Sequence, residues 1–169
     1  MIHPELGIIY MIESDHLAYT EQTKQMRKHQ MAQEMIEAAD EQDKELAKET
    51  AKQFLSENLP ENVFGSPKAA PGMWASLVRI MDPISLQTRT SFELEQNEAA
   101  FSITLARFQS RPNQTFLLIG VAKDFMLNPR SCNGGYIYTY QVFDNGDKLD
   151  FMHKTPVEDV PGELINFNI

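Results

Sequence analysis

The stretch "TFLLIGVAK", residues 115 to 123, restricts the fold more than any other part of the chain. It is apolar on both faces and is interrupted by a single glycine, Gly120. A run this short and this apolar reads as a central strand, paired on both edges and covered on both sides. The surrounding sequence has the period of two that such a strand needs. "WASLVRIM" places Trp74, Val78 and Ile80 on one face. "FSITLARF" alternates Phe101, Ile103 and Leu105 with Ser102, Thr104 and Ala106, and "YIYTYQVF" and "KLDFMHKT" complete the series. Asn145-Gly146 separates the last two, and both residues accept positive φ, which predicts a tight hairpin. Short strands joined by turns, with no helix between them, predict an antiparallel meander over residues 74–161.

The N-terminal half behaves differently. Residues 7 to 13, "GIIYMIE", read as one short strand within a segment 1–14. From Asp15 to Asn58 there is neither glycine nor proline, and the spacing of Leu46, Ala47, Ala51, Phe54 and Leu55 is that of an amphipathic helix. Met31, Met35, Ile36 and Ala39 form a second stripe, expected to pack in a core, with a binding groove as the alternative. Residues 15–58 therefore read as a helical segment that starts at Thr20 and stops at Pro60, with "DEQDK" as a kink, a turn or a solvated part of one helix. Residues 59–73 hold three prolines and two glycines and read as a linker; residues 162–169 read as an atypical tail.

Composition narrows the chemistry. The net charge of −9 makes the chain a poor general binder of nucleic acid. A single cysteine, Cys132, allows no intrachain disulfide and no cysteine-based zinc site, and the four histidines are scattered without metal-ligand spacing. Gly120 and the Gly134-Gly135 pair are too far apart for a phosphate loop, so the pair is expected to supply a turn into "YIYTY". No paired carboxylates or nucleophile–base set stands out. The expectation is a non-enzyme without cofactor or metal. Five of the six arginines lie in the strand half, where solvated strand edges explain them as well as partner contact does.

Several stretches carry a resemblance. "DHLAYTEQTK", "FLSENLPENVFGSPKA", "ELEQNEAAFS", "GVAKDFMLNPRS" and "GGYIYTYQVFDNGDKLDFMHKTPVEDVP" resemble, in order, successive parts of the splicing factor 3b subunit 3 family. These are the large β-propeller subunits of the SF3b complex in the U2 small nuclear ribonucleoprotein. They stand beside damaged-DNA-binding protein subunit 1 and the largest cleavage and polyadenylation specificity factor subunit. The resemblance runs from about His3 to Pro161 and implies an interior piece of a protein built from three propellers. In the family another strand opens the next blade after Pro161, where this chain reads "GELINFNI".

The implied fold is mainly β: an antiparallel meander making about one to two blades of an incomplete β-propeller, preceded by a long helical segment. The ring cannot close, so open sheet edges are expected. The implied function is a non-catalytic nuclear scaffold in pre-mRNA splicing that holds other SF3b and U2 particle proteins during branch-site recognition. It would use no small-molecule substrate and no membrane, and would meet RNA at most weakly. Lys123, Arg130, Arg107 and Arg111 are the candidate partner-contact residues. Two other roles stay open. One is an adaptor in a ubiquitin ligase or in 3′-end processing. The other is direct single-stranded RNA binding on a row of Tyr136, Tyr138 and Tyr140, which otherwise would pack between blades.

Overall fold

A computed structural model describes residues 1–56 and 69–166. The expected stop at Pro60, residues 59–68 of the linker and residues 167–169 of the tail lie outside the described residues. The chain opens with β1 (Ile9–His16), followed by α1 (Glu21–Glu37), α2 (Lys44–Ser56), β2 (Trp74–Met81) and β3 (Thr88–Glu93). Then come β4 (Glu98–Ala106), β5 (Phe116–Lys123), the two-residue strands β6 (Met126–Leu127) and β7 (Arg130–Ser131), β8 (Gly134–Phe143) and β9 (Lys148–Val157). A 3-10 turn, Asp144–Gly146, joins the last two.

Two main antiparallel sheets result, one in the order β1-β2-β3 and one in the order β4-β5-β8-β9, with β6 and β7 forming a small two-stranded sheet of their own. β5 is central in the second, as its apolar faces require. Leu117, Ile119 and Val121 on one of its faces are fully buried against Ile8, Tyr10, Val78 and Ile80 of the first sheet. Each of these side chains contributes about 2 kcal/mol by leaving water. Neither sheet closes on itself, and the chain is mainly β with open, face-packed antiparallel sheets: the arrangement of incomplete propeller blades.

The hairpin between β8 and β9 uses positive φ at both Asn145 (57°) and Gly146 (92°). Gly146 also accepts a hydrogen bond from the Tyr10 hydroxyl at 2.9 Å, which ties this turn to the first sheet.

Four details depart from the sequence reading. On β4 the polar alternation is the more deeply buried one: Ser102, Thr104 and Ala106 are buried, while Phe101 is 38% exposed and Ile103 and Leu105 are partly buried on the inter-sheet core. The cause is the chain after β9, which crosses that face of the second sheet. Ser102 Oγ donates to the carbonyl of Pro161 at 3.0 Å. Second, Gly134-Gly135 form no turn but open β8; a Cβ on Gly135 would stand 2.0 Å from the Asp159 carbonyl oxygen. Glycine is needed there because backbone passes directly over the strand. Third, β3 is a strand without an apolar stripe.

The fourth concerns the helices. Thr20 caps α1, accepting from the Thr23 amide, and the Glu93 carboxylate accepts from the Glu21 amide at 3.0 and 3.1 Å. α1 ends at Glu37, and a turn closed by Asp43 N–H on the Asp40 carbonyl leads into α2, so the polar "DEQDK" region separates two helices. They pack on each other through buried Ala32 and Ala51, and among the described residues the α1 start at Glu21 meets β3 only through the Glu93 carboxylate. The methionine stripe therefore does not pack in a core: Met31 and Met35 are exposed, as is Met26. Ala32 and Ala51 are the buried residues of the helix–helix contact, and Lys28 of α1 adds contacts to the Phe54 ring and the Leu55 carbonyl of α2.

Candidate interaction surface

The four candidate contact residues fall into two groups at opposite ends of β5. Lys123 closes this strand, and Arg130 stands in β7 just beyond it. Arg107 and Arg111 lie in the loop before it, between β4 and β5. The seven steps between the eight residues of β5, at about 3.3 Å each, separate the groups by roughly 23 Å, so they form no single patch.

Arg107 is already engaged. Its guanidinium donates to Glu5 at 2.5 Å and to Thr115 Oγ1 at 3.2 Å. Arg111 is exposed, and among the described residues it is held through its backbone, which donates to the Phe108 carbonyl and accepts from the Gln114 amide. Lys123 is part-buried and donates to the Gln96 carbonyl at 2.7 Å, so it works as a brace inside its own loop cluster. Arg130 is exposed and projects from the small β6–β7 hairpin.

That hairpin is braced by the residues around it. Its base is fixed from several sides. Trp74 Nε1 donates to the Phe125 carbonyl at 2.7 Å, and Phe125 packs with Trp74, Ala99 and Ala122 in a small second core. The Asp124 carboxylate accepts from the side-chain amides of Asn97 and Asn133, and the Asp124 amide donates to the Asn97 carbonyl. At the tip, Leu127 is 55% exposed beside exposed Arg130. A rigid base under an exposed apolar side chain and a guanidinium is suited to protein contact, because little side-chain order must be lost on docking. Sequence reasoning named Arg130 but missed Leu127 and the hairpin. The Asn128-Pro129 dipeptide, a turn signal, was the clue to it.

The tyrosine row sits elsewhere. Tyr138 and Tyr140 are buried between the sheets, stacked on each other with Phe151 and Phe92 against them. Their faces are used by packing. Tyr138 also donates to both oxygens of Glu98, a fully buried carboxylate that Lys154 pairs with at 2.8 Å. The Lys154 ammonium lies over the Tyr136 and Tyr138 rings, at 4.4 and 4.9 Å. Burial, joined by the Glu98 charge, holds the Tyr138 hydroxyl well above its ordinary pKa. Burial works against the Lys154 charge, but its bonds to Glu98 and Tyr138 prevail and raise its pKa. The set ties β4, β8 and β9 of the second sheet together, and Lys154 also pairs with Glu95 at 3.5 Å.

A profile of the CPSF A subunit region family matches residues 75–168. Splicing factor 3B subunit 3 of Danio rerio is 58% identical over 99% of this chain, and its namesake in Drosophila melanogaster is 45% identical over 99%. Spliceosome-associated protein 130 A of Arabidopsis thaliana is 29% identical, again over 99% of the chain. In each case the chain spans 14% of the relative's length. The match takes in every strand of the second sheet and the β6–β7 hairpin, and agrees with the resemblance carried by the sequence stretches. The chain belongs to the CPSF A subunit region family.

Proposed function

We propose that the chain is part of a non-catalytic scaffold subunit of an SF3b-type complex, acting in the nucleus in pre-mRNA splicing. On this reading its blades hold other proteins of the U2 particle during branch-site recognition. The observation that carries the proposal is the 58% identity to a splicing factor 3B subunit 3 over 99% of the chain, helices included. An adaptor of another branch of the family would not be expected to share the segment of α1 and α2. The geometry is compatible with a scaffold: Glu98, Tyr138 and Lys154 pair with one another across strands of the second sheet, while a braced hairpin offers Leu127 and Arg130 to a partner. Arg111 is the freest candidate at the other end of the sheet. Direct RNA stacking on Tyr136, Tyr138 and Tyr140 has no support in this geometry, because two of the three rings are buried.

The test is affinity purification of the tagged chain from nuclear extract with quantitative mass spectrometry. Enrichment of SF3b and U2 particle proteins is the expected result. Enrichment of a cullin or of 3′-end-processing factors instead, or of neither, would overturn the splicing reading.

A further inference from the structure

The loop between β4 and β5, residues 107–115, reads "RFQSRPNQT": two arginines and no acidic residue, in a chain of net charge −9. Ser110 stands three residues after Arg107 and directly before Arg111. That spacing does not recur. None of the other five arginines, and no lysine, has a serine or threonine three residues on.

The fold leaves Ser110 reachable. Ser110, Arg111 and Pro112 are all exposed. The Arg111 amide donates to the Phe108 carbonyl at 2.9 Å, and the Gln114 amide to the Arg111 carbonyl at 3.1 Å, so Ser110 lies inside the first of two successive turns. Among the described residues no hydrogen bond engages its hydroxyl. Arg107 is held by Glu5, but both side chains are open, at 45% and 61% exposure. An ion pair so exposed contributes little, and the guanidinium can exchange Glu5 for another carboxylate. A free hydroxyl with a releasable guanidinium at a fixed distance before it suits an enzyme with an acidic subsite. The subsite carboxylates take the planar fork in two parallel bonds, which fixes where the hydroxyl stands relative to the transferred group.

We propose that Ser110 is a phosphorylation site for a serine kinase whose substrate groove carries an acidic subsite for Arg107. Ser110 Oγ bonds to the γ-phosphorus of a nucleoside triphosphate while the bond from that phosphorus to the β–γ bridging oxygen breaks. The nucleoside diphosphate leaves, and the hydroxyl proton passes to the catalytic carboxylate of the kinase. The phosphate carries a charge of about −1.5 to −2 at neutral pH, close to the sum of the two guanidinium charges of the loop with its sign reversed. Modification thereby cancels the positive charge that exposed Arg111 offers an acidic partner at this end of the sheet. The inference rests on the loop alone and holds whatever complex the chain serves.

The test incubates the full chain with magnesium ATP and calcium/calmodulin-dependent protein kinase II, a kinase that selects arginine three residues before serine. Mass spectrometry of the intact chain and of its proteolytic peptides follows phosphate incorporation in the unaltered chain and in the variants Ser110→Ala, Arg107→Gln and Glu5→Gln, with circular dichroism as the folding control. The expected result is one phosphate, on Ser110, and none in Ser110→Ala. The initial rate should fall at least tenfold in Arg107→Gln and stay equal or rise in Glu5→Gln, where the guanidinium loses its competing carboxylate. Three results would overturn the proposal: no phosphate on Ser110 of the unaltered chain, equal rates with and without Arg107, or a Glu5→Gln rate as low as that of Arg107→Gln, which would assign the effect to loop order and not to recognition of the guanidinium. Should Arg107→Gln lose its fold, Arg107→Lys takes its place, since it keeps the charge and loses the fork. A rate lowered at least threefold is expected there, and an unchanged rate counts against the proposal.

Discussion

The hydroxyl of Tyr138 donates to both carboxylate oxygens of Glu98, each at 2.9 Å, across the interior of the second sheet. Glu98 lies in the first strand of that sheet and Tyr138 in the third, so the bond spans β5 and sets one edge strand against the strand beyond the centre. Lys154, in the fourth strand, brings the compensating charge. One carboxylate is thereby held from three strands of one sheet, with Ser76 of the first sheet donating to the Glu98 carbonyl at 2.6 Å.

This arrangement predicts an alkaline limit to stability. Tyr138 and Lys154 both have folded-state pKa values raised above their unfolded values of about 10 and 10.4. Burial pushes Tyr140 up to about 12, and burial with the nearby Asp147 charge does the same for Tyr10. A raised folded-state pKa means stability that is fully present below the unfolded value and is lost as pH climbs toward the folded one. Urea midpoints should therefore hold from pH 7 to 9 and fall above about pH 10, with phenolate absorbance appearing together with unfolding. Replacing Glu98 by Gln removes the shared acceptor charge and is expected to lower stability by about 2–3 kcal/mol at pH 7. Loss of less than about 0.5 kcal/mol would mean that the network does not hold the strands of the second sheet together.

Two glycines of the second sheet should resist replacement for a reason unrelated to φ. A Cβ on Gly120 would meet Ser102 Oγ at 2.3 Å and the Pro161 carbonyl oxygen at 2.9 Å, and one on Gly135 would meet the Asp159 carbonyl oxygen at 2.0 Å. Gly120→Ala and Gly135→Ala are each expected to cost about 2–3 kcal/mol by forcing the crossing segment off the sheet. Gly162→Ala, with open space around it, should be neutral. Chemical denaturation of the three variants checks this, and equal midpoints for all three would refute the crossing.

How far the fold was legible in the sequence depends on where each burying partner comes from. β5, the Asn145-Gly146 hairpin and the Thr20 cap were legible because the cause is local: residue period, positive φ and a side-chain acceptor. β3, "TRTSFE", was not, because its strand form comes from pairing with β2 and its residues are largely exposed. The buried face of β4 was misread because Ser102 is covered by backbone some sixty residues away, which no local alternation reveals. Glu98 was passed over for the same reason: its partners Tyr138 and Lys154 are distant in sequence. At the candidate surface Arg130 was found from residue type, while Leu127 needed the hairpin geometry to be seen as exposed and held.

The helices give a prediction opposite to the one their methionines suggested. Changing Met26, Met31 and Met35 together to Gln should leave stability within about 0.5 kcal/mol, since all three are exposed. Ala51→Glu should instead separate α2 from α1, because a carboxylate would replace a methyl group buried at their contact. Circular dichroism and thermal melts distinguish the two. A cooperative loss of structure in the methionine variant would show that this face is covered.

The β6–β7 hairpin yields the prediction closest to function. Leu127→Asp and Arg130→Glu alter exposed side chains at the tip and leave the Trp74–Phe125 bond, the Asp124 contacts and the second core in place. Their combined effect on stability is expected to stay within about 0.5 kcal/mol. If the hairpin is the contact that the scaffold reading requires, the double variant should lose at least tenfold of its recovery of SF3b proteins from nuclear extract, while Arg107→Ala, already paired with Glu5, should lose much less. Undiminished recovery by a folded double variant would move the contact away from this end of the sheet. Arg111, at the opposite end and exposed, would then be the residue to change next.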